Sequence, residues 1–419
     1  MHYPYPNSPG ILSAIETTYP LHILVMSSKQ TSSDDSRDSE GNKKIRGNSK
    51  YVKYLADSKS FLKSIATFSG DLSSLTAPSF ILSSTSLIEY SAYWAEHPDL
   101  FVSLPSGKTP LERQLLVTKW FASTLKNQYA TRNERYGSEK KPLNPILGEL
   151  FFGKWSTNLD KDTELTAEQV SHHPPISAYH IYNAAAGVRL EGYNGHKSGF
   201  SGSHIHVKQI GHARLTLEPH NEVYYITFPL VTLEGLWYGS PYIELNKKSH
   251  IISTAGYMTT IEYSGKGYFT GKKNTFKASV HQNDSKSEPL YRIEGSWTGM
   301  LKLANSEGLK RGVWEDWLDC TNYAPINIAV PPIESQGEFE SRRVWKNFAV
   351  ALDSGDYSAA SQEKSKIEDE QRQLRRQEQT NSETWQRKFF EWQELDEGFL
   401  KATQHLRYPI EEGLWKFKR

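Results

Sequence analysis

Three short runs, Val207-Lys208-Gln209-Ile210, Ala213-Arg214-Leu215-Thr216-Leu217 and Val223-Tyr224-Tyr225-Ile226-Thr227, decide the fold of this chain. Each alternates or clusters β-branched, aromatic and apolar residues over a few positions, which suits a pleated surface. The same texture extends from Phe151 to about Trp317 with no internal repeat. Turns such as Gly265-Lys266-Gly267 and Gly271-Lys272-Lys273-Asn274 punctuate it roughly every ten residues. A long antiparallel sheet follows. So many strands have to curl into a barrel or split into a sandwich to cover one apolar face. The Gly265 to Lys272 stretch lacks the G-x-x-x-x-G-K-[ST] spacing of a phosphate loop, and no helix follows it, so it is read as a hairpin.

Composition narrows the class. Over 419 residues, 49 Lys and Arg against 48 Asp and Glu leave a formal charge of +1, so no global field draws the chain to nucleic acid. The single cysteine, Cys320, cannot form an internal disulfide and fits a reducing, cytoplasmic compartment. No apolar run approaches the roughly 18 residues that span a bilayer. The stretch Ile11 to Met26 contains Glu16 and Pro20 and lacks a basic leader, which argues against a signal peptide. The 11 Trp, 23 Tyr and 17 Phe, concentrated after residue 150, suit sheets and apolar cavities.

Outside the sheet the periods change. Residues 1–50, rich in Ser, Asn, Asp and Lys, read as a disordered tail, with Met26 as an alternative start. From Asp57 to Leu75, Phe61, Ile65, Phe68 and Leu72 fall at i, i+4, i+7 and i+11, an amphipathic helix with a Ser/Thr-rich polar side. It is either a surface helix packed on its own core or a movable flap whose apolar face enters a membrane interface. A short helical pattern runs from Ser86 to Glu96. A longer one opens on Thr109-Pro110-Leu111-Glu112, with an N-cap, proline at the first turn and a capping glutamate, and runs to about Tyr129. The turn Lys140-Lys141-Pro142-Leu143-Asn144-Pro145 then feeds Leu147 to Trp155. After Pro331-Pro332, helices are expected from Phe339 to Leu352 and from about Ser358 through Glu378. The second carries Lys364, Glu368, Arg372 and Arg376 at i+4 steps, a face that is either plain solvation or the wall of a polar site. Trp385, Phe389, Phe390 and Trp392 mark a packed C-terminal segment.

One octapeptide stands apart: Glu168-Gln169-Val170-Ser171-His172-His173-Pro174-Pro175. Its prolines hold the two histidines on extended backbone. Adjacent side chains on a strand point to opposite faces, which speaks against chelation of one metal. No nucleophile elbow is present; Gly199-Phe200-Ser201-Gly202 does not match. What remains is a set of donors and cations, Lys141, the two histidines and the Lys364/Arg372 stripe, suited to a phosphorylated head group if the chain brings them together.

Those residues also carry a resemblance. Residues 168–175, EQVSHHPP, resemble the signature of the oxysterol-binding proteins. Residues 140–150, KKPLNPILGEL, and 60–75, SFLKSIATFSGDLSSL, resemble short yeast-type members made of the ligand domain alone. The likeness runs from about Ser58 to Trp392. It implies an α+β ligand domain over 51–419: a lid at 57–75, helices within 85–130, an incomplete antiparallel β-barrel at 147–318 around a hydrophobic tunnel, and a helical region at 338–419. It also implies exchange of a sterol, of ergosterol or cholesterol type, against phosphatidylinositol 4-phosphate. The protein would be a monomer without cofactor or metal, touching endoplasmic-reticulum and Golgi-type membranes transiently. Phosphatidylserine in place of sterol, and a sensor that reports occupancy, are the alternatives.

By motif match, Lys141, His172, His173, Lys364 and Arg372, with Glu368 beside them and the lid backbone near Ser73, would hold the head group. Trp94, Gln128, Tyr129, Asn194 and Gln209 would receive sterol, with contacts to its hydroxyl passing through water. Phe61, Leu62, Ile65, Phe68, Leu72 and Leu75 would form the lid face. About fifty residues ahead of the lid, a short loop after Phe101 and a short tail after Trp392 depart from the family pattern.

Overall fold

A computed structural model describes residues 60–418 apart from 62, 66, 69–71, 73–76, 132–139, 158–159, 237–240, 266–271, 283–287, 383–384 and 407–412. The expected tail 1–50, Leu62, Ser73, Leu75 and the tip of the 265–272 hairpin therefore lie outside the described residues. Strands β1 (Leu82–Ser86) and β2 (Lys141–Leu143) pair in parallel ahead of the main sheet. That sheet has fifteen antiparallel strands. β3 (Leu150–Trp155), β4 (Thr163–His172), β5 (Pro175–Asn183) and β6 (Val188–Phe200) pair in succession.

The next three strands are each broken in the middle. β7 (Ile205–Ile210) and β8 (His212–Leu217) run back along β6 in one register and are divided at Gly211. Gly211 has φ of 100°, and a Cβ there would lie 2.2 Å from the Tyr193 carbonyl oxygen, so only glycine fits. β9 (Glu222–Thr227) and β10 (Leu230–Glu234) are divided at Phe228-Pro229, and β11 (Tyr242–Asn246) and β12 (Lys248–Ser253) at Lys247, with φ of 62°. Because His212 pairs Thr227, Leu230 pairs Asn246 and Ile251 pairs Ile226, the three breaks lie side by side as one crease. Beyond it the sheet forks. One branch, β7, β10 and β11, ends; the other continues from β12 into β13 (Tyr257–Ser264), β14 (Thr275–Gln282), β15 (Tyr291–Ser296), β16 (Met300–Asn305) and β17 (Glu315–Asp319). Ser264 pairs Thr275, so the hairpin reading of this region holds in its flanking strands.

The sheet does not close on itself. The segment after β17 spans the gap to β3: Lys154 and Ala329 exchange backbone hydrogen bonds of 2.9 and 2.8 Å, and the Trp155 indole donates to the Ile326 carbonyl at 2.9 Å. Helix α1 (Pro110–Lys126) starts as its capping sequence predicts, Thr109 Oγ1 accepting from the Glu112 amide. It buries Val117, Trp120, Phe121 and Leu125 in the main core, and Gln114 donates to the Ile251 carbonyl at 3.0 Å and to Thr259 Oγ1 at 2.8 Å.

One residue earlier, Arg113 meets Glu222 through Nε at 2.8 Å and Nη2 at 2.5 Å, both side chains buried. Removing one partner strands the other charge in a dry site. Arg113→Ala is expected to cost about 3–5 kcal/mol in denaturant unfolding. Arg311→Ala, which breaks an exposed pair with Glu307, should cost under about 0.5 kcal/mol. Equal costs would remove Arg113 from the set of structural anchors.

One expectation is sharpened and one is corrected. The pattern from Ser86 to Glu96 winds as a tight three-residue-per-turn helix over Leu87–Ala95. The region 338–419 is not all helical. After helix α2 (Tyr357–Asn381), β18 (Phe390–Gln393) and β19 (Leu414–Phe417) pair, with Trp392 opposite Trp415. Aromatics alternating with Glu391 and Lys416 favour that pleat, which packs on Val170, Ala178, Tyr193 and Ile210. Among the described residues, no helix is long and apolar enough to cross a membrane.

Candidate functional site

Beyond the crease, β6, β7, β10 and β11 turn alternate side chains to one volume: Asn194, His196 and Ser198; Ile205, Val207 and Gln209; Val231 and Leu233; Ile243. The cavity holds about 380 Å³ and its lining is mostly apolar. From the lid, Phe61, Ile65 and Leu72 face it, and Ile65 and Leu72 are buried. Phe68 is 36% exposed and turns to solvent. Phe61 also packs against the cluster that contains Leu143, Trp345 and Phe348, so this helix rests on the body of the protein with its apolar face over a void.

All five residues expected for sterol, Trp94, Gln128, Tyr129, Asn194 and Gln209, line this one cavity. Gln209 is the hub of its polar wall. Its Nε2 donates to the Pro229 carbonyl at 2.9 Å, at the crease, while Oε1 accepts from Tyr129 Oη at 3.1 Å and from Asn194 Nδ2 at a long 3.5 Å. Asn194 lies within β6, not in a turn. Trp94 is wedged between Trp120, Tyr179 and Phe228 at ring separations of 5.6 to 6.0 Å, a rigid aromatic wall.

The octapeptide divides into structure and donors. Glu168 is fully buried and accepts from the amides of Lys388 and Phe389 at 2.7 and 2.8 Å, tying the C-terminal arm to β4. Gln169 accepts from Ser177 Oγ and donates to the Ser171 carbonyl, shaping the turn into β5. The expectation of opposite faces fails at the histidines, because β4 ends at His172 and the turn carries His173 back. Their rings meet edge to face at 4.6 Å. His172 Nδ1 lies 3.2 Å from the Pro145 carbonyl oxygen, which ties it to the Lys140–Pro145 turn. Burial pushes the His172 imidazole below its ordinary range. The His173 ring adds to that shift, as does the Arg375 charge, while Glu368 opposes it.

Lys141, on β2, lines the cavity. Water in the mouth reaches it, yet protein crowds it on most sides. That crowding lowers its pKa, the Lys364 ammonium lowers it further, and Glu368 opposes both. On α2, Lys364 and Glu368 form an ion pair.

Arg372 does not join this cluster: it pairs with Asp369 at 2.5 Å on the exposed side. Arg375 does. At 3.6 residues per turn, Glu368 and Arg375 lie within about 40° of Lys364 around the helix, whereas Arg372 lies about 80° away. The sequence reading missed Arg375 because i+4 steps drift around a helix. An i, i+4, i+7, i+11 count, the one applied to the lid, finds it. The Arg375 guanidinium lies 5.6 Å from the centre of the Trp385 ring. Trp385 packs on Gly148, where a Cβ would come within 2.0 Å of the indole. Among the described residues no group of three His, Cys, Asp or Glu could hold a metal ion.

A sheet curled but unclosed around an apolar cavity, an amphipathic lid over it, and a cation cluster sharing one residue with its wall define an α+β protein built to enclose an apolar ligand. The profile of the family described as oxysterol-binding protein matches residues 59–351. Protein kes1 of Schizosaccharomyces pombe is 78% identical over 392 residues, which span 94% of this chain and all of that protein. The Osh1 ORD domain, solved in complex with ergosterol, superposes with a TM-score of 0.67 at 21% identity over 85% of each chain. The Osh3 ORD of Saccharomyces cerevisiae, solved in complex with PI(4)P, superposes with a TM-score of 0.61 at 23% identity, covering 79% of this chain and 86% of that one. The chain belongs to the oxysterol-binding protein family.

Proposed function

We propose that the protein is a lipid exchanger that takes sterol or phosphatidylinositol 4-phosphate into the same cavity and carries one per visit between membranes. One observation carries this reading: Lys141 belongs both to the wall of the apolar cavity and to the cation cluster. An apolar body fits the cavity alone. A lipid with a phosphorylated head fits cavity and cluster together, with Lys141, His172, His173 and Lys364 on the phosphate and Glu368 beside them. Arg372 would reach it only by leaving Asp369. The ergosterol and PI(4)P seen in relatives of the same fold support the two ligand classes. Neither lipid is chemically changed, and two ligands competing for one volume exclude each other, so a gradient of one can drive the other. The protein acts in the cytoplasm, docking on endoplasmic-reticulum and Golgi-type membranes as the lid at 57–75 opens.

The test is displacement. Protein loaded with ergosterol is incubated with vesicles containing phosphatidylinositol 4-phosphate, and occupancy is read by native mass spectrometry. One molecule of sterol should leave for each phosphoinositide gained, with both lipids recovered intact. A ternary complex, or sterol retained against excess phosphoinositide, defeats the reading. A phosphatidylserine arm decides whether that lipid replaces sterol.

A further inference from the structure

Arg375 carries a feature that its structural contacts leave unexplained. Its Nη1 is taken by Glu378 at 2.7 Å. Its Nε and Nη2 are shielded from water and meet no hydrogen-bond acceptor among the described residues. Those two atoms form one edge of the guanidinium, the edge that grips two oxygens of a carboxylate or phosphate side by side. Arg113 uses the same edge in this protein, with Nε and Nη2 on the two oxygens of Glu222. An arginine stays charged at any physiological pH, and shielded donors without acceptors cost free energy. A shielded edge of this kind either takes up an anion when one binds or is a net liability.

Its surroundings say which anion. The guanidinium is backed by Trp385, which packs on Gly148; the Gly148 amide donates at 2.9 Å to the Gln169 carbonyl in the strand that ends at His172. Arg375 shares its helix face with Lys364 and Glu368, and its charge is felt at the His172 ring. Along α2, Glu368 is paired with Lys364, Asp369 with Arg372, and Glu378 with Arg375 itself.

We propose that Arg375 is a further head-group anchor, its Nε and Nη2 edge gripping the phosphate monoester that His172 and His173 face. The assignment rests on the head-group reading above. The competing account makes Arg375 a strut between Glu378 and Trp385, with no ligand contact.

The experiment compares wild type, Arg375→Gln, Arg375→Lys and His172→Ala/His173→Ala as full chains. Each is titrated with vesicles containing phosphatidylinositol 4-phosphate and with vesicles containing unphosphorylated phosphatidylinositol; ergosterol capture and thermal midpoint are read alongside. Arg375→Gln should bind the phosphorylated lipid about 10- to 100-fold more weakly. Its preference over phosphatidylinositol should shrink accordingly, with ergosterol capture unchanged. Lysine keeps the charge and the stem but has no two-donor edge, so Arg375→Lys should fall between wild type and Arg375→Gln. Wild-type affinity in Arg375→Gln, alongside loss in the double-histidine variant, overturns the assignment and leaves the head-group reading standing. Wild-type affinity in the double-histidine variant defeats that reading, and this proposal with it. Should Arg375→Gln fail to fold, Arg375→Lys decides: undiminished affinity overturns the proposal.

Discussion

His172→Ala/His173→Ala, and Lys141→Ala separately, are expected to strip phosphatidylinositol 4-phosphate from the protein while sterol capture persists. Each lost hydrogen bond to a charged phosphate is worth about 1.5–3 kcal/mol. The double-histidine variant should therefore bind the phosphoinositide at least about 100-fold more weakly, and Lys141→Ala about 10- to 100-fold. Folding should survive, since His173 is exposed and, beyond the His173 ring, His172 is held by a single hydrogen bond to the Pro145 carbonyl. Sterol should remain because neither histidine lines the cavity, and because the Gln209, Tyr129 and Asn194 wall is untouched. Lipids that co-purify, identified by native mass spectrometry, give the readout. Phosphoinositide at wild-type occupancy would sink the head-group assignment.

The same site fixes a sign for pH. In the empty site, burial and the neighbouring charges hold His172 below its ordinary value, so it is neutral at pH 7. A phosphate placed against the ring favours the imidazolium and raises that pKa. Binding therefore takes up a proton in the window between the empty and the filled values, and affinity should rise as pH falls through neutrality toward the ordinary histidine value of about 6.5. Below about 6 the monoester begins to lose its second charge and the gain stops. Sterol affinity should be flat across the same range, and the double-histidine variant should lose the slope. A phosphoinositide affinity that falls on acidification through this window contradicts protonation at His172.

What the sequence reveals follows the range of the interactions involved. Alternation in Ala213 to Leu217 and the Thr109 cap are local, and both appear as read. The crease is not local. Gly211, Phe228-Pro229 and Lys247 look like unrelated irregularities until strand register sets them side by side. The roles of Glu168 and Glu149 were hidden for a similar reason. Glu168 binds amides 220 and 221 positions away, and Glu149 accepts from Ser341 and the Trp345 indole, so the long-range partners had to be found before either carboxylate had a job. At the candidate site, Lys141 and His172 were legible as chemistry and illegible as neighbours. The Pro145 carbonyl beside the His172 ring supplies the connection. Arg372 and Arg375 show the finer limit: residues three apart share a helix yet differ by about 60° in direction. In the structure the Arg375 guanidinium lies over Trp385 while Arg372 pairs with the exposed Asp369, which separates the two.

Val207→Trp should abolish capture of both lipids, by about 100-fold or more, and leave the fold intact. Val207 pairs with Val231 across β7 and β10, and both side chains face the cavity. An indole there fills part of a volume of about 380 Å³ without pushing on a packed neighbour. The thermal midpoint should hold or rise, because filling a void restores contacts that the empty lining lacks. Val170→Trp supplies the contrast. Val170, within the octapeptide, is fully buried in a cluster with Tyr193, Phe390 and Trp415 and does not line the cavity, so overpacking there should cost about 1–3 kcal/mol. The pattern of loss in Val207→Trp carries more than its size. Exchange requires that sterol and phosphoinositide contend for the same space, so one plug in that space has to exclude both, although the phosphate cluster is untouched. If the variant loses sterol and keeps phosphatidylinositol 4-phosphate at wild-type affinity, the acyl chains lie elsewhere. Two separate sites would then permit simultaneous occupancy, and neither lipid would drive the other out.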